Sequence, residues 1–490
     1  MPLENHNMRK NTKIVASISD RRCSREFIKS LYDAGMNVVR INTAHASREG
    51  FDEIIGNVRA VSDNIAILLD TKGPEVRTLP SDCDGLDFRT GDTVAVKSGV
   101  DGDKTSKECI YVTYGGFVHD LSVGDHILID DGELELLVTG KDDNTLTCQV
   151  CNDARLGNRK SVNVPGVRIN LPSLTDKDRT NIDYAINNGI DFIAHSFVRN
   201  AQDVLDIKEM LDKAQSPIKV IAKIENQEGV DNIDEILKVA DGIMVARGDL
   251  GIEIPQERIP GIQRQLIKKC IQVRKPVIVA TQMLHSMINN PRPTRAEIAD
   301  IANAVFTSTD ALMLSGETAY GKYPVEAVET MSKVALETER YRTREDEIKM
   351  QLTDNDTDVT SFLAKQAVKS TQRLKVRGII TDSYTGNTAR AVASCRGRYP
   401  VYAICFNKTT MRQLALSYGV TPYYLEQKDN DREFLREVLV KLVDNHDVRR
   451  DDMVAYLNGS FSDNSGTTFL EINKICSILD KFDKYNPPCF

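Results

Sequence analysis

The 490-residue sequence contains no apolar run approaching the roughly 18–20 residues that a membrane-spanning helix needs, which excludes a helical membrane protein. Its opening, MPLENHNMRKNTK, is polar and lacks the apolar stretch of a secretory signal, so the expected location is the cytoplasm. There is no excess of positive charge: 63 Lys and Arg against 71 Asp and Glu leave a formal net charge of −8. That balance argues against nucleic acid or an anionic membrane as partner, while leaving room for small anionic substrates in a locally basic cleft. A metal knuckle is also missing. The 10 cysteines are scattered along a long chain, as in a reduced cytosolic protein. One CxxC occurs, at Cys148 and Cys151, with no second CxxC and no HxxxH to accompany it. Residues i and i+3 of a strand face opposite sides, so this pair reads as two strand residues.

What the chain does have is a series of short, nearly continuous apolar runs. Over the first 320 residues they centre near Ile14, Val38, Ile67, Ile193, Val220, Ile243, Val277 and Leu312. Such runs suit parallel strands buried on both faces. Between most of them lie segments such as REFIKSLYDAG and VDNIDEILKVA, where apolar residues return every three or four positions, as on a helix. Eight βα units predict an α/β fold of the TIM (β/α)8 barrel type. One gap, from Ile67 to Ile193, is 126 residues and too long for a single crossover. Within it DTVAVKSG, ECIYVTYGG, HILIDDGELELLVTG and TLTCQV alternate like strands joined by glycine turns. The expected organisation is a barrel domain of residues 1–75 and 169–345, a small β-barrel domain of residues 76–168 inserted after the third strand, and a C-terminal open α/β-sheet domain of residues 346–490. The polar stretch REDEIKMQLTDNDTD reads as the linker to the last.

In a TIM barrel the chemistry sits at the C-terminal ends of the strands. Those ends carry Arg40 and Asn42, then Asp70, Thr71 and Lys72, then Ser196 and Arg199. Later ones carry Lys223 and Glu225, Arg247 and Asp249, Thr281, and finally Ser315 and Glu317. Any one of these alone reads as a salt-bridged rim residue; the set together points to a site. Glu225 and Asp249 end adjacent strands and suit a hard cation such as Mg2+ or Mn2+. Arg40 and Lys223 add positive charge, which suits a transferring phosphoryl group. Gly248 and Asp249 open a helix-like turn whose N–H groups suit a substrate carboxylate.

The blocks LDTKGPEVRT, IAKIENQEG, MVARGDLGIEIP, ATQMLHSMINNPRPTRAEIADIANAV and MLSGETAYGKYPVEAV resemble the signature blocks of the pyruvate kinase family, and the resemblance covers essentially the whole chain. It implies transfer of the phosphoryl group of phosphoenolpyruvate to ADP, giving ATP and pyruvate, under an inserted domain that closes as a lid. It also implies residue roles. Lys223, Arg40 and Thr281 would be catalytic, with Arg40, Ser196, Gly248, Asp249 and Thr281 binding substrate. Glu225 and Asp249 would hold the divalent cation. Asn42, Asp70 and Thr71 would hold potassium, and His45, Arg77 and Lys177 would contact the nucleotide. Glu75 goes in the family with potassium dependence. Two positions depart from the pattern: Ala44 stands where a potassium-ligating serine is usual, and ASISDRRCS replaces a Gly-Pro turn near the nucleotide base.

The C-terminal region adds two segments rich in glycine and hydroxyls. Ser383, Tyr384, Thr385, Gly386, Asn387 and Thr388 precede a helix expected near Ala389, and Gly459 to Thr468, with Gly466 and Thr467, read as a loop. Each alone fits an ordinary βα turn. The resemblance makes them an effector-phosphate site, with Tyr384 in place of a usual acidic residue, and implies a homotetramer. The competing readings are another Mg2+-dependent barrel enzyme acting on pyruvate or its enolate, which needs neither lid nor nucleotide, and a binding protein on an inactive kinase scaffold.

Overall fold

The computed structural model describes residues 9–44, 47–342, 358–428, 430–459 and 466–485. His45, the 345/346 domain boundary with most of its linker, and residues 460–465 of the second C-terminal segment lie outside them.

Three parallel strands open the chain: β1 (Lys13–Ile18), β2 (Val38–Asn42) and β3 (Ala66–Asp70). Nine short strands follow: β4 (Val76–Arg77), β5 (Leu86–Phe88), β6 (Thr93–Ser98), β7 (Cys109–Val112), β8 (His126–Ile129), β9 (Leu134–Lys141), β10 (Leu146–Val150), β11 (Ala154–Leu156) and β12 (Ser161–Asn163). Five more resume the parallel pattern: β13 (Phe192–His195), β14 (Lys219–Ile224), β15 (Gly242–Ala246), β16 (Val277–Ala280) and β17 (Ala311–Leu314). The first three and these five close a barrel in the order β1-β17-β16-β15-β14-β13-β3-β2.

The strands carry two cores, one on each face. Ile14, Val39, Ile41, Ile67, Ile193, Val220 and Leu312 face the surrounding helices. Val15, Val38, Leu68, Ala194, Ile221, Met244 and Ile278 fill the interior. This is why the runs read as continuously apolar rather than alternating. Ala415 and Leu416, from the C-terminal region, belong to the interior cluster and plug one end of the barrel. Helices are started by local chemistry. Thr175 and Thr294 form capping boxes with Asp178 and Glu297, fixing the helices Asp176–Asn187 and Arg295–Phe306.

The insertion is a seven-stranded sheet, β4-β12-β8-β9-β10-β6-β7, beside the pair β11-β5. Its two edges meet: Thr78 bridges Val112, and Leu79 N–H donates to the Tyr111 carbonyl at 2.8 Å. The sheet thus curls into a small barrel around Val96, Ile110, Ile127, Leu136 and Cys148.

The C-terminal sheet comprises β18 (Val376–Ser383), β19 (Val401–Cys405), β20 (Val420–Tyr424), β21 (Met453–Gly459) and β22 (Thr467–Lys474), in the order β20-β19-β18-β21-β22. Here the structure corrects the sequence reading. Thr467 and Thr468 begin a strand antiparallel to β21 and are not loop residues. The edge strand β22 has few buried positions, which hides it from hydropathy. The helix after β18 starts at Asn387, two residues early, with Gly386 at its cap.

Barrel and C-terminal sheet are joined by buried charge. The Arg396 guanidinium donates to both Asp310 oxygens at 2.9 and 2.6 Å, and lies 4.9 Å over the Tyr418 ring. Tyr418 N–H also donates to Asp310, and Arg412 pairs with buried Asp191 at 2.6 Å.

Candidate active site

Strand alternation decides what points into the barrel mouth. Val38 and Leu68 are interior residues, so Arg40 and Asp70, two positions later, face inward at the C-terminal end. The same phase carries Ala194 to Ser196, and Ile221 to Lys223 and Glu225. These five side chains meet. Arg40 Nε donates to Asp70 Oδ2 at 2.6 Å, and its Nη1 to Ser17 Oγ at 2.9 Å. Lys223 Nζ lies 3.2 Å from Asp70, 3.0 Å from Glu225 and 2.7 Å from Ser196 Oγ. Glu225 accepts a further bond from Phe197 N–H at 2.7 Å.

The charges do not balance. Among the described residues, the cations acting on Asp70, Glu225 and Asp249 are Arg40 and Lys223. Burial opposes ionisation of Asp70, but Lys223 and Arg40 outweigh it and hold the carboxyl below its usual range. Burial likewise opposes the Lys223 charge, yet Asp70 and Glu225 hold its pKa above that of an ordinary lysine. The deficit falls on the other two carboxyls. Burial raises Glu225, Lys223 only partly opposes it, and Asp249 adds to the rise. Asp249 is raised by burial, against Lys223, with Asp131 adding to the rise. Two oxygen-donor groups short of positive charge are what a hard divalent cation fits.

Asp131 went unnoticed in the sequence. It sits in the turn between β8 and β9, where Asp130, Asp131 and Gly132 all have positive φ. The DDG sequence signals a tight turn but not that the turn reaches over toward Asp249.

Thr281 follows β16 with φ of 70°, and its Oγ1 accepts the Gly248 N–H at 2.8 Å. Gly248 is in the first turn of the helix Arg247–Glu253. Arg247 anchors this corner through two bonds to Asp300 at 2.8 and 2.7 Å and one to the Thr281 carbonyl at 2.7 Å. Asn42, Asp70 and Thr71 lie at neighbouring strand ends. Asn42 Oδ1 accepts from Ala44 N–H, and Thr71 Oγ1 from Ser196 N–H. Thr43 is buried with its hydroxyl donated to the Asp70 carbonyl, so it does not replace the hydroxyl that Ala44 lacks.

Other strand-end residues serve structure. Arg199 binds Asp203 and the Ile169 and Leu171 carbonyls, and Glu317 accepts the Leu284 and Ser315 N–H groups. Glu75 is clamped between Lys72 and Arg77. Arg77 also donates to the Arg159 carbonyl at 2.7 Å, and Lys177 is exposed in the first turn of its helix.

In the C-terminal region, Ser383 Oγ accepts the Gly386 N–H at 2.8 Å, and Thr388 Oγ1 meets Thr467 Oγ1 at 2.7 Å. Thr385 and Asn387 are exposed, each accepting from Arg390. Gly386 and Gly466 both have φ of 84°, a left-handed value natural to glycine.

A closed (β/α)8 barrel with buried charged side chains gathered at its C-terminal mouth has the architecture of a barrel enzyme. Comparison with known proteins narrows the class. Residues 9–328 match the family model described as pyruvate kinase, barrel domain, and residues 362–472 match pyruvate kinase, alpha/beta domain. The chain is 45% identical to the pyruvate kinase of Borreliella burgdorferi, over 95% of this chain and 98% of that protein. It is 43% identical to that of Geobacillus stearothermophilus, over 97% and 82%. A crystal structure of a pyruvate kinase from Cryptosporidium parvum superposes with a TM-score of 0.89 at 33% identity, covering 95% of this chain and 96% of that one. The chain belongs to the pyruvate kinase family and is a phosphotransferase.

Proposed function

We propose that the barrel mouth transfers the phosphoryl group of phosphoenolpyruvate to ADP, with Lys223 as the group that stabilises the charge moving between them. One observation carries this: the Lys223 ammonium is buried, held by Asp70, Glu225 and Ser196, and aimed where the strand ends converge. Its orientation is fixed before substrate arrives, so it can act on developing charge without reorganising. Arg40, whose guanidinium is set by Asp70 and Ser17, binds the phosphoryl oxygens. Gly248, Asp249 and Thr281 take the carboxylate end, and the Thr281 hydroxyl hands on the proton that turns enolpyruvate into pyruvate.

Glu225 and Asp249 would hold Mg2+ or Mn2+, whose chemistry there is to neutralise phosphoryl and enolate oxygens; their raised carboxyl pKa values support the fit. Asn42, Asp70 and Thr71 offer oxygens for potassium, with one fewer hydroxyl because of Ala44. His45, Arg77 and Lys177 would meet the nucleotide, under a lid of residues 76–168 on a barrel domain of residues 1–75 and 169–345. The domain of residues 346–490 would bind a phosphorylated effector through Ser383, Thr385, Gly386, Asn387, Thr388, Gly466 and Thr467 within a cytoplasmic homotetramer.

The test is pyruvate release from phosphoenolpyruvate by the purified chain with Mg2+ and potassium. Strict dependence on ADP is expected; release without ADP would mean that the phosphoryl group passes to water, a phosphatase reaction, and would remove the nucleotide from the site. Replacing potassium with a bulky organic cation should abolish most turnover. Full activity under that replacement would remove Asn42, Asp70 and Thr71 from the cation site.

A further inference from the structure

The outer face of the inserted sheet carries a cluster that the barrel mouth does not use. On β8, β9 and β10, adjacent in the sheet, alternate residues Ile127, Leu136, Cys148 and Val150 point into the small barrel's core. The opposite phase brings His126 and Glu135 to the outside, and Cys151, just beyond β10, joins them. One ligand atom from each of His126, Glu135 and Cys151 lies within 4.8 Å of the other two. His126 Nδ1 is 2.6 Å from Glu135 Oε1. The backbone holds the three in register: Cys151 N–H donates to the Glu135 carbonyl at 2.8 Å. Asn152 accepts the Glu135 N–H at 2.8 Å and donates to the Glu133 carbonyl at 2.7 Å, tying the end of β10 to β9.

We propose that His126, Glu135 and Cys151 bind a divalent cation of the zinc class, with water as the remaining ligand. An imidazole, a carboxylate and a thiolate are the donor types zinc accepts, in the three-protein-ligand pattern that leaves one position open. Ligands about a tetrahedral zinc stand roughly 3.3–3.7 Å apart, given metal–ligand bonds of about 2.0–2.3 Å. The cluster needs only a small inward adjustment of its widest separation, and the cation takes the place of the His126–Glu135 hydrogen bond. The sulfur comes from only one member of the CxxC. Cys148 is buried in the core beneath, so the sequence pair is not the ligand pair. Glu225 and Asp249 offer oxygen alone, which separates the two sites by chemistry: hard Mg2+ for the barrel mouth, a borderline cation with thiolate affinity for the sheet. A bound ion would staple β8, β9 and β10, including the hairpin whose turn carries Asp131.

The experiment is a Co2+ titration of the full-length chain, reduced beforehand, with excess Mg2+ present to hold the barrel mouth. The expected result is a sulfur-to-cobalt charge-transfer band that saturates at a single Co2+ per chain and is bleached by Zn2+. Cys151→Ser and His126→Ala should each abolish it, Cys148→Ser should keep it, and all three should retain turnover. Zn2+ should raise the unfolding temperature of the wild type but not of His126→Ala. Absence of the band in the wild type, or its persistence in Cys151→Ser, overturns the site. Should Cys151→Ser fail to fold, His126→Ala alone decides, because it leaves every thiol in place.

Discussion

At the barrel mouth, Arg40, Asp70, Lys223 and Glu225 are joined by charged contacts of 2.6–3.2 Å. In the turn after β18 the groups are the Thr385 and Thr388 hydroxyls, an exposed Asn387 and the Arg390 guanidinium that binds Asn387 and the Thr385 carbonyl, with Thr388 and Thr467 linking two segments. Both suit an anion, by opposite means. Buried charges are costly to desolvate and become very destabilising when left unpaired, so the mouth is rigidly cross-linked whether or not substrate is present. Hydroxyls and backbone groups at a helix start cost little and bind more weakly. The first arrangement suits stabilising a transient charge, the second suits a reversible equilibrium. Substitutions at the mouth should therefore alter rate, and those at the turn should alter only a response.

The joint between the two regions should give the largest effect. Arg396→Met leaves the buried Asp310 carboxylate, among the described residues, with the Val277 and Tyr418 N–H donors. Breaking such a pair costs about 3–5 kcal/mol. We expect the lower end, read by chemical denaturation, with partial recovery when Asp310→Asn is added. No recovery in the double variant would mean that Arg396 acts through its packing on Tyr418. Next comes Lys223→Met: with the ammonium in the role proposed for it, on charge that develops in the transition state, this variant should lower kcat about 10²–10³-fold with little change in substrate affinity. A variant within a few-fold of wild-type turnover would break the contrast between mouth and turn. Smaller again are Glu225→Gln and Asp249→Asn, each expected to raise the Mg2+ concentration needed for half-maximal rate by about an order of magnitude. An unchanged Mg2+ dependence in both would leave the surplus carboxylate charge without a role.

The two regions also differ in how far they can be read from sequence. At the mouth, the alternation that puts Val38 and Leu68 inside puts Arg40 and Asp70 inside as well, so the strand ends reveal the site. Period alone cannot identify Arg199 and Glu317 as structural, since their partners Asp203 and the Leu284 N–H are fixed only by folding. Asp131 was hidden because a turn sequence carries no direction. The C-terminal region is less legible. Its edge strand β22 mixes buried and exposed positions without clean alternation, so TTFLEINK resembles neither a core strand nor a helix. The Thr388–Thr467 contact spans 79 residues and depends on that strand.

That contact gives the mildest prediction. If Thr388 and Thr467 help hold an effector phosphate, then Thr385→Ala combined with Thr388→Ala should leave turnover at saturating phosphoenolpyruvate unchanged. The alanines remove two hydroxyls but keep Gly386 at the helix cap and the Ser383 bond that shapes the turn. The turn should therefore keep its shape, although the Thr388–Thr467 bond is lost with the Thr388 hydroxyl. Allosteric coupling of about 1–3 kcal/mol would shift phosphoenolpyruvate affinity roughly 5–150-fold in the wild type. The measurement is a titration of phosphorylated sugars and AMP at subsaturating phosphoenolpyruvate, on both proteins. A wild type that answers one of these compounds beside a double variant that answers none of them places the effector at this turn. A double variant that responds as strongly as the wild type removes it from here, and Thr388–Thr467 is then a clasp holding β22 against the helix Asn387–Ser394. The clasp reading carries its own expectation: Thr388→Val, which keeps the shape and loses the hydrogen bond, would lower stability by about 1 kcal/mol without touching any effector response.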